Sequence, residues 1–201
     1  MKRFHPVIYA RLFLGELVDP NVSRILYLDS DTMVRTTLDP LFDMNLEGFA
    51  IAAVQQPDRM HCVAGRDLNT RKALSLVEPY FNSGVMLIDL EQYRKMNFPE
   101  KLSTVSREEL ALFYYDQDII NFCFRGRILE LAPRWNLQNP EPANEAYNPL
   151  ILHYSADAKP WVFWSRVAFK KTYRHVMTNA HYYRYRRERI GRMVRRLLRL
   201  K

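Results

Sequence analysis

An α/β fold, with a mostly parallel sheet and helices on both of its faces, is predicted by three observations. Short apolar runs recur without polar alternation: Arg24-Ile-Leu-Tyr-Leu28, Phe49-Ala-Ile-Ala-Ala-Val54, Gly84-Val-Met-Leu-Ile-Asp-Leu90, Arg127-Ile-Leu-Glu-Leu131 and Leu150-Ile-Leu-His153. Runs of this kind suit strands buried on both faces. Segments of helical character alternate with them, and several polar clusters fall at strand ends, where open α/β sheets bind their ligands. A chain of 201 residues that is 48% hydrophobic can bury one substantial core.

Each element follows in order. Val7, Ile8, Leu12, Leu14, Leu17 and Val18 carry mixed helical spacing, and Asp19-Pro20 ends that helix. The strand at 24–28 stops abruptly at Asp29-Ser30-Asp31. After the strand at 84–90, helices begin at Glu91–Met96 and Pro99–Leu102, and Asp116–Phe124 reads as another. Cys62 and Cys123 match neither a disulfide framework nor a CxxC metal pattern, so buried thiols in a reducing compartment are expected. No stretch reaches the roughly 18–20 apolar residues of a membrane span. The first eleven residues lack a signal-peptide core. A cytoplasmic protein is the expectation.

The net charge of +8 hides a division. Residues 170–201 hold 12 Lys or Arg and one acid, Glu188, a net of +11; the remaining 18 basic and 21 acidic residues give −3 for 1–169. A mildly acidic body therefore carries a strongly basic end.

Two carboxylates one residue apart at the end of an apolar strand call for an explanation. In extended backbone Asp29 and Asp31 would share a side and repel unless a cation lay between them. Carboxylates favour Mg²⁺ or Mn²⁺. A plain Asx-type turn is the alternative that the tripeptide alone leaves open.

The surroundings resolve the choice. Leu26-Tyr-Leu-Asp-Ser-Asp-Thr-Met-Val-Arg35, followed by Leu38-Asp-Pro-Leu-Phe42, resembles the centre of the retaining glycosyltransferases of family 8. Four further segments match that family in order: Tyr9-Ala-Arg-Leu12, Tyr80-Phe-Asn-Ser-Gly-Val-Met-Leu-Ile-Asp-Leu90, Tyr115-Asp-Gln-Asp-Ile-Ile-Asn121 and Leu152-His-Tyr-Ser-Ala-Asp-Ala-Lys-Pro-Trp161. Five ordered elements spanning residues 9 to 161 are far more specific than any one alone.

The resemblance implies a GT-A-like, Rossmann-like fold and transfer of a hexose, galactose or glucose, from a UDP-sugar to a glycan acceptor such as lipopolysaccharide core. It implies Mn²⁺, with Mg²⁺ as the alternative, held by Asp29, Asp31 and His153. Arg11, Ser30, Asn82, Ser83 and Lys159 would contact the donor. Asp116 would hold the sugar hydroxyls and Gln117 would face the anomeric carbon. Gln117 has no ionisable group, so a double displacement of the glycosidase type is not compelling. Front-face attack assisted by the leaving phosphate is the expected course. Asp58 would lie near the acceptor.

Two departures stand out. Ala156 replaces the glycine of the family's His-x-x-Gly ending. A first strand, helix and second strand, which carry the uracil and ribose contacts in that family, have no counterpart before residue 1, which reads as an amino-terminal truncation. A catalytically inactive remnant that binds membrane or glycan is the rival reading. A metal-dependent phosphoryl-transfer enzyme would also use paired aspartates, but leaves the Asn82-Ser-Gly and His153…Lys159-Pro-Trp segments without a role.

In the basic end, Ile190, Met193, Val194, Leu197 and Leu198 follow amphipathic helical spacing, with arginines around them. Such a helix suits an anionic membrane surface and peripheral attachment to the inner face of the cytoplasmic membrane. Nucleic acid and plain solvation are the competing uses, and no nucleic-acid motif accompanies the tail. The expected organisation is a partial catalytic domain over 1–167 and a membrane-associating tail over 168–201.

Overall fold

The computed structural model describes residues 6–56, 79–104, 115–162 and 164–198. Contacts divide the chain into two compact units, Met1–Leu137 with Pro149–His153, and Gln138–Asn148 with Tyr154–Lys201.

The first unit opens with a 3-10 helix, Pro6–Phe13, that runs into the short α1, Leu14–Leu17. Strands β1 (Arg24–Leu28), β2 (Thr32–Val34) and β3 (Ile51–Gln55) follow, with α2 (Asp39–Phe42) between the last two. The long β4, Phe81–Asp89, leads directly into α3, Leu90–Lys95. That join is encoded locally: Asp89 ends the strand and caps the helix, its Oδ1 accepting from Gln92 N–H at 2.9 Å. Helices α4 (Phe98–Ser103) and α5 (Tyr115–Cys123) precede β5 (Ile128–Leu131), the two-residue β6 (Leu137–Gln138) and β7 (Ile151–His153).

The main sheet has the order β1-β4-β3-β5. Its β3 and β4 are sandwiched between two apolar clusters, as their unbroken apolar runs require. Ile51, Ala53, Met86 and Ile88 face Tyr93 of α3, Phe98 of α4 and Ile120 and Cys123 of α5, while Ala52, Val54, Val85 and Leu87 face Leu41, Trp135 and Ile151. Successive residues thus serve opposite faces.

The α/β class holds, but strand direction corrects the expectation of a mostly parallel sheet. Among the described pairings only β3–β5 is parallel; β1–β4, β3–β4 and β2–β7 are antiparallel. Continuous apolarity records burial on two faces, and burial carries no information about direction. A second correction concerns β1, which is half-buried along its length rather than buried. It forms one edge of the described sheet. Cys123 is fully buried, with no disulfide, and burial pushes its thiol up to about 11; Cys62 and Asp58 lie outside the described residues.

In the second unit, α6 (Lys170–Val176) and α7 (Asn179–Leu197) carry the basic end. Lys170 Nζ donates to the carbonyls of Val162 and Ser165 at 2.9 and 2.8 Å, tying α6 to the segment before it. The apolar stripe of α7 keeps substantial exposure, from 42% at Val194 to 75% at Leu197. Ile190, Met193 and Leu197 share an open groove of about 1500 Å³ with Trp161, Trp164 and Phe169. No helix among the described residues is long and apolar enough to cross a membrane.

Candidate metal and donor site

Strand pairing brings the acidic pair to its partners. Asp29 N–H donates to the Gly84 carbonyl at 2.8 Å, carrying the end of β1 onto the beginning of β4. The β2–β7 register sets Thr32 opposite His153, so Asp31 is the next residue along. His153 Nε2 lies 3.3 Å from Asp31 Oδ1 and 3.8 Å from Asp29 Oδ2. One ligand atom from each of the three residues falls within 4.8 Å of the others, a spacing that can hold a metal ion. Two carboxylates and an imidazole supply the hard oxygen-rich set that suits a divalent cation.

The aspartates converge for a reason other than extended alternation. Thr32 N–H and Oγ1 both donate to the Asp29 carbonyl, at 3.1 and 2.8 Å, which folds Asp29–Thr32 into a turn. The turn chemistry of Asp-Ser-Asp and the ligand geometry are thus one structure. Ser30 occupies its exposed corner.

Gly84 is required by close approach. A Cβ there would stand 2.1 Å from His153 Cε1, 2.7 Å from its Nδ1 and 2.9 Å from Asp29 Oδ2. The glycine strand and the Asp29, Asp31 and His153 side chains are therefore mutually fitted.

Arg11, delivered by the first 3-10 helix, gathers the other side of the site. Its guanidinium donates to Asp29 Oδ1 at 2.8 Å, to the Ser83 carbonyl at 3.0 Å and to Ser83 Oγ at 3.1 Å. Its Nε approaches Asp116 Oδ2 at 2.8 Å, and the group lies 4.7 Å from the centre of the Tyr27 ring. Tyr27 itself donates from its hydroxyl to Asp29 Oδ1 at 2.8 Å. Burial, followed by the Asp29 charge, raises the Tyr27 pKa and keeps the phenol protonated. Burial also raises the Asp116 pKa, against the lowering effect of Arg11.

Gln117 and Asn82 join a set of amides. Gln117 Oε1 accepts from Ser83 N–H at 3.0 Å and from Ser83 Oγ at 3.3 Å, while its Nε2 donates to Gln56 Oε1 at 3.0 Å. Asn82 donates to the same Gln56 oxygen at 3.2 Å, and Asn136 donates to Asn82 Oδ1 at 2.9 Å. His153 Nδ1 lies 3.0 Å from Asn136 Oδ1. The expected residues Arg11, Asp29, Asp31, Asn82, Ser83, Asp116, Gln117 and His153 are thus linked. Tyr27, Gln56 and Asn136 join them without having been singled out. Lys159 belongs to the second unit, where its ammonium donates to the Tyr154 carbonyl. In that unit Ala156 N–H donates to Asn139 Oδ1 at 2.7 Å.

Known proteins resemble this chain in sequence and in fold. General stress protein A of Bacillus subtilis (strain 168) is 29% identical over 189 residues, covering 85% of this chain and 64% of the relative. Lipopolysaccharide 1,2-glucosyltransferase of Escherichia coli (strain K12) is 27% identical over 215 residues, covering 87% of this chain and 63% of the relative. The crystal structure of the galactosyltransferase LgtC with donor and acceptor sugar analogues matches with a TM-score of 0.67 and 27% identity, over 83% of this chain and 64% of that one. The bifunctional glycosyltransferase WbbM shares the fold, with a TM-score of 0.71 at 22% identity, over 91% of this chain and 38% of that one. The mixed α/β architecture is GT-A-like, as in these neighbours. This chain spans a little under two thirds of the length of the two curated relatives. The model of glycosyl transferase family 8 matches residues 1–165, and the chain belongs to that family.

Proposed function

We propose that this chain carries the metal and sugar side of a retaining hexosyltransferase, which moves galactose or glucose from a UDP-sugar to a glycan acceptor such as a lipopolysaccharide core. The observation that carries the reading is the convergence of Asp29, Asp31 and His153 beside a strand whose Gly84 leaves them room. A bound Mn²⁺, or Mg²⁺ in its place, would act there as a Lewis acid toward the departing diphosphate. Asp29, Asp31 and His153 would be its protein ligands. Ser30 at the turn would serve the donor phosphates.

Asp116 and Gln117, at the amino end of α5, would address the hexose and its anomeric carbon. Arg11 orients both acidic groups by its contacts to Asp29 and Asp116. Its donor role would be indirect as much as direct, because Asp29, Asp116 and Ser83 already engage its guanidinium. Asn82 and Ser83 would line the sugar side. The basic α7 would hold the protein against an anionic membrane surface, close to a lipid-linked acceptor. E. coli lipopolysaccharide 1,2-glucosyltransferase and LgtC, by their names a glucosyl- and a galactosyltransferase, support the choice of hexose and acceptor class.

Calorimetry with UDP-glucose and UDP-galactose, with and without Mn²⁺, tests the reading. Metal-dependent binding to the wild-type chain is expected, with loss of the metal dependence in Asp31→Ala. Binding that ignores both the metal and the substitution would overturn the site.

A further inference from the structure

We infer that a directional chain of side-chain amides fixes the tautomer of His153, with Asn136 as its positioning residue, so that the Nε2 lone pair is presented toward Asp29 and Asp31. The inference rests on the reading of His153 as a metal ligand but makes a separate claim about the protein alone.

An amide or imidazole can in principle be reversed within its density of contacts. Here the direction is dictated, because two links end on backbone N–H groups that can only donate. The register of β3 and β4 breaks between the Ala53–Met86 and Gln55–Phe81 pairs, and residues 82–84 lie in the gap. There the N–H groups of Ser83 and Gly84 meet side chains instead of the neighbouring strand. Gly84 N–H donates to Asn82 Oδ1 at 2.9 Å, so that atom is an acceptor and the other Asn82 terminus is NH₂. Ser83 N–H fixes Gln117 Oε1 as an acceptor in the same way.

The rest follows by elimination. Gln117 and Asn82 both present NH₂ groups to Gln56 Oε1, which accepts from each. The two anchors therefore agree, although they enter the chain at different points. Asn82 Oδ1, already an acceptor, requires the NH₂ of Asn136 on its other side. Asn136 must then turn its oxygen to His153, and an oxygen facing Nδ1 at 3.0 Å requires a proton on Nδ1. Asn136 is 2% and His153 3% exposed, so water cannot readily substitute for either partner.

With Nδ1 protonated, the neutral ring has only a lone pair to offer at Nε2, 3.3 Å from Asp31 Oδ1. A lone pair facing carboxylate oxygens is unfavourable in isolation and becomes a ligand set when a cation enters. The opposite neutral tautomer would place an N–H there, donate to Asp31 and close the site. Ligating histidines in general use their second nitrogen in this manner. In this chain the second partner is oriented through Asn82, whose Oδ1 is fixed by the Gly84 N–H of the glycine strand, which couples that strand to His153.

The test reads the tautomer directly. Long-range ¹H–¹⁵N correlation spectra of the metal-free protein distinguish the two ring nitrogens and show which of them carries a proton. The His153 signals are identified by their loss in His153→Gln. A protonated Nδ1 with a bare Nε2 is expected, and a protonated Nε2 with a bare Nδ1 would overturn the inference without any variant. Asn136→Leu keeps the shape and removes the acceptor. It should abolish the preference for Nδ1–H and weaken Mn²⁺ binding, read by calorimetry, by about 10–100-fold. Asn136→Asp, which retains an acceptor, should restore the Nδ1–H tautomer. An unchanged tautomer and an unchanged Mn²⁺ affinity in Asn136→Leu would also overturn it. If the wild type shows the expected tautomer but does not bind Mn²⁺, the amide chain stands and the metal reading falls.

Discussion

At the scale of single residues, the site is defined by how little space it leaves. Gly84 is not in a left-handed conformation; its value lies in the absent Cβ, which would overlap the ring of His153 at 2.1 Å and approach Asp29 at 2.9 Å. The ring cannot retreat, because it is buried and its Nδ1 is held by Asn136. Gly84→Ala should therefore cost about 1–3 kcal/mol by overpacking, read by urea denaturation. It should also weaken Mn²⁺ binding by at least about tenfold, since one ligand must move (1.4 kcal/mol in binding energy). Affinity and stability both within twofold of wild type would show that the strand can yield.

The same scale explains what a reader of the sequence can and cannot find. Asp29, Asp31 and His153 are legible because they stand in ordered motifs, although an aspartate at a strand end is by itself common turn chemistry. Asn136 and Gln56 carry no such mark: a lone amide on a loop or strand end is common, and its partners arrive only through tertiary contacts. Tyr27 hides in another way, since within an apolar run it reads as core. Its hydroxyl acts two residues along the strand, on Asp29.

At the scale of elements, α5 completes the sheet where β1 ends. The contact Gln56 N–H to Tyr80 carbonyl, at 2.8 Å, makes Gln55–Phe81 a non-hydrogen-bonded pair, so the peptide groups of Phe81 point away from β3. On that side β1 has already ended, its last register partner being Val85 opposite Leu28. Asn121 of α5 takes the place of the missing strand: its Oδ1 accepts from Phe81 N–H at 2.7 Å and its Nδ2 donates to the Phe81 carbonyl at 2.8 Å. The side-chain amide mimics a peptide. Nδ2 also reaches the Gln117 carbonyl at 2.9 Å, which ties the helix turn bearing Gln117 to the strand bearing Asn82 and Ser83. Asn121→Leu would strand two buried backbone groups, each costing about 1–3 kcal/mol. Equilibrium unfolding should show a loss of about 2–5 kcal/mol, whereas a change within about 0.5 kcal/mol would mean that other partners replace the amide. The positions of α3, α4 and α5 were legible in the sequence within a few residues, whereas the short α2 and α6 were not named there as helices and the helix read over 7–18 is mostly 3-10. Strand direction and this substitution of a side chain for a strand were not legible, since both depend on what lies alongside in space.

At the scale of the whole molecule, charge is the property that the sequence states most fully. The net of +11 over residues 170–201 contrasts with −3 over the rest, and α7 bears most of the excess with an exposed apolar stripe beside it. Arg184 and Arg192 are paired within the helix to Glu188, at 3.2 and 3.9 Å. Among the other arginines, Arg189 donates to the Tyr185 hydroxyl at 2.8 Å, an exposed contact that leaves its charge uncompensated. The proposed membrane attachment by this helix would make two separable demands. Each arginine near an anionic surface contributes about 1 kcal/mol, so replacing Arg186, Arg187 and Arg189 together by Gln should weaken binding to phosphatidylglycerol vesicles by about 3 kcal/mol, or roughly 100-fold. Replacing Ile190, Met193 and Leu197 by Ser removes the apolar contribution instead. Vesicle binding should then fall at all salt concentrations, while the arginine variant should lose chiefly the salt-sensitive part. Flotation with anionic and neutral vesicles, at low salt and at about 0.15 M, reads both effects. Equal flotation with neutral vesicles, or none with anionic ones, would leave the stripe as the lining of the groove it shares with Trp161, Trp164 and Phe169, and the arginines as a solvated helix face.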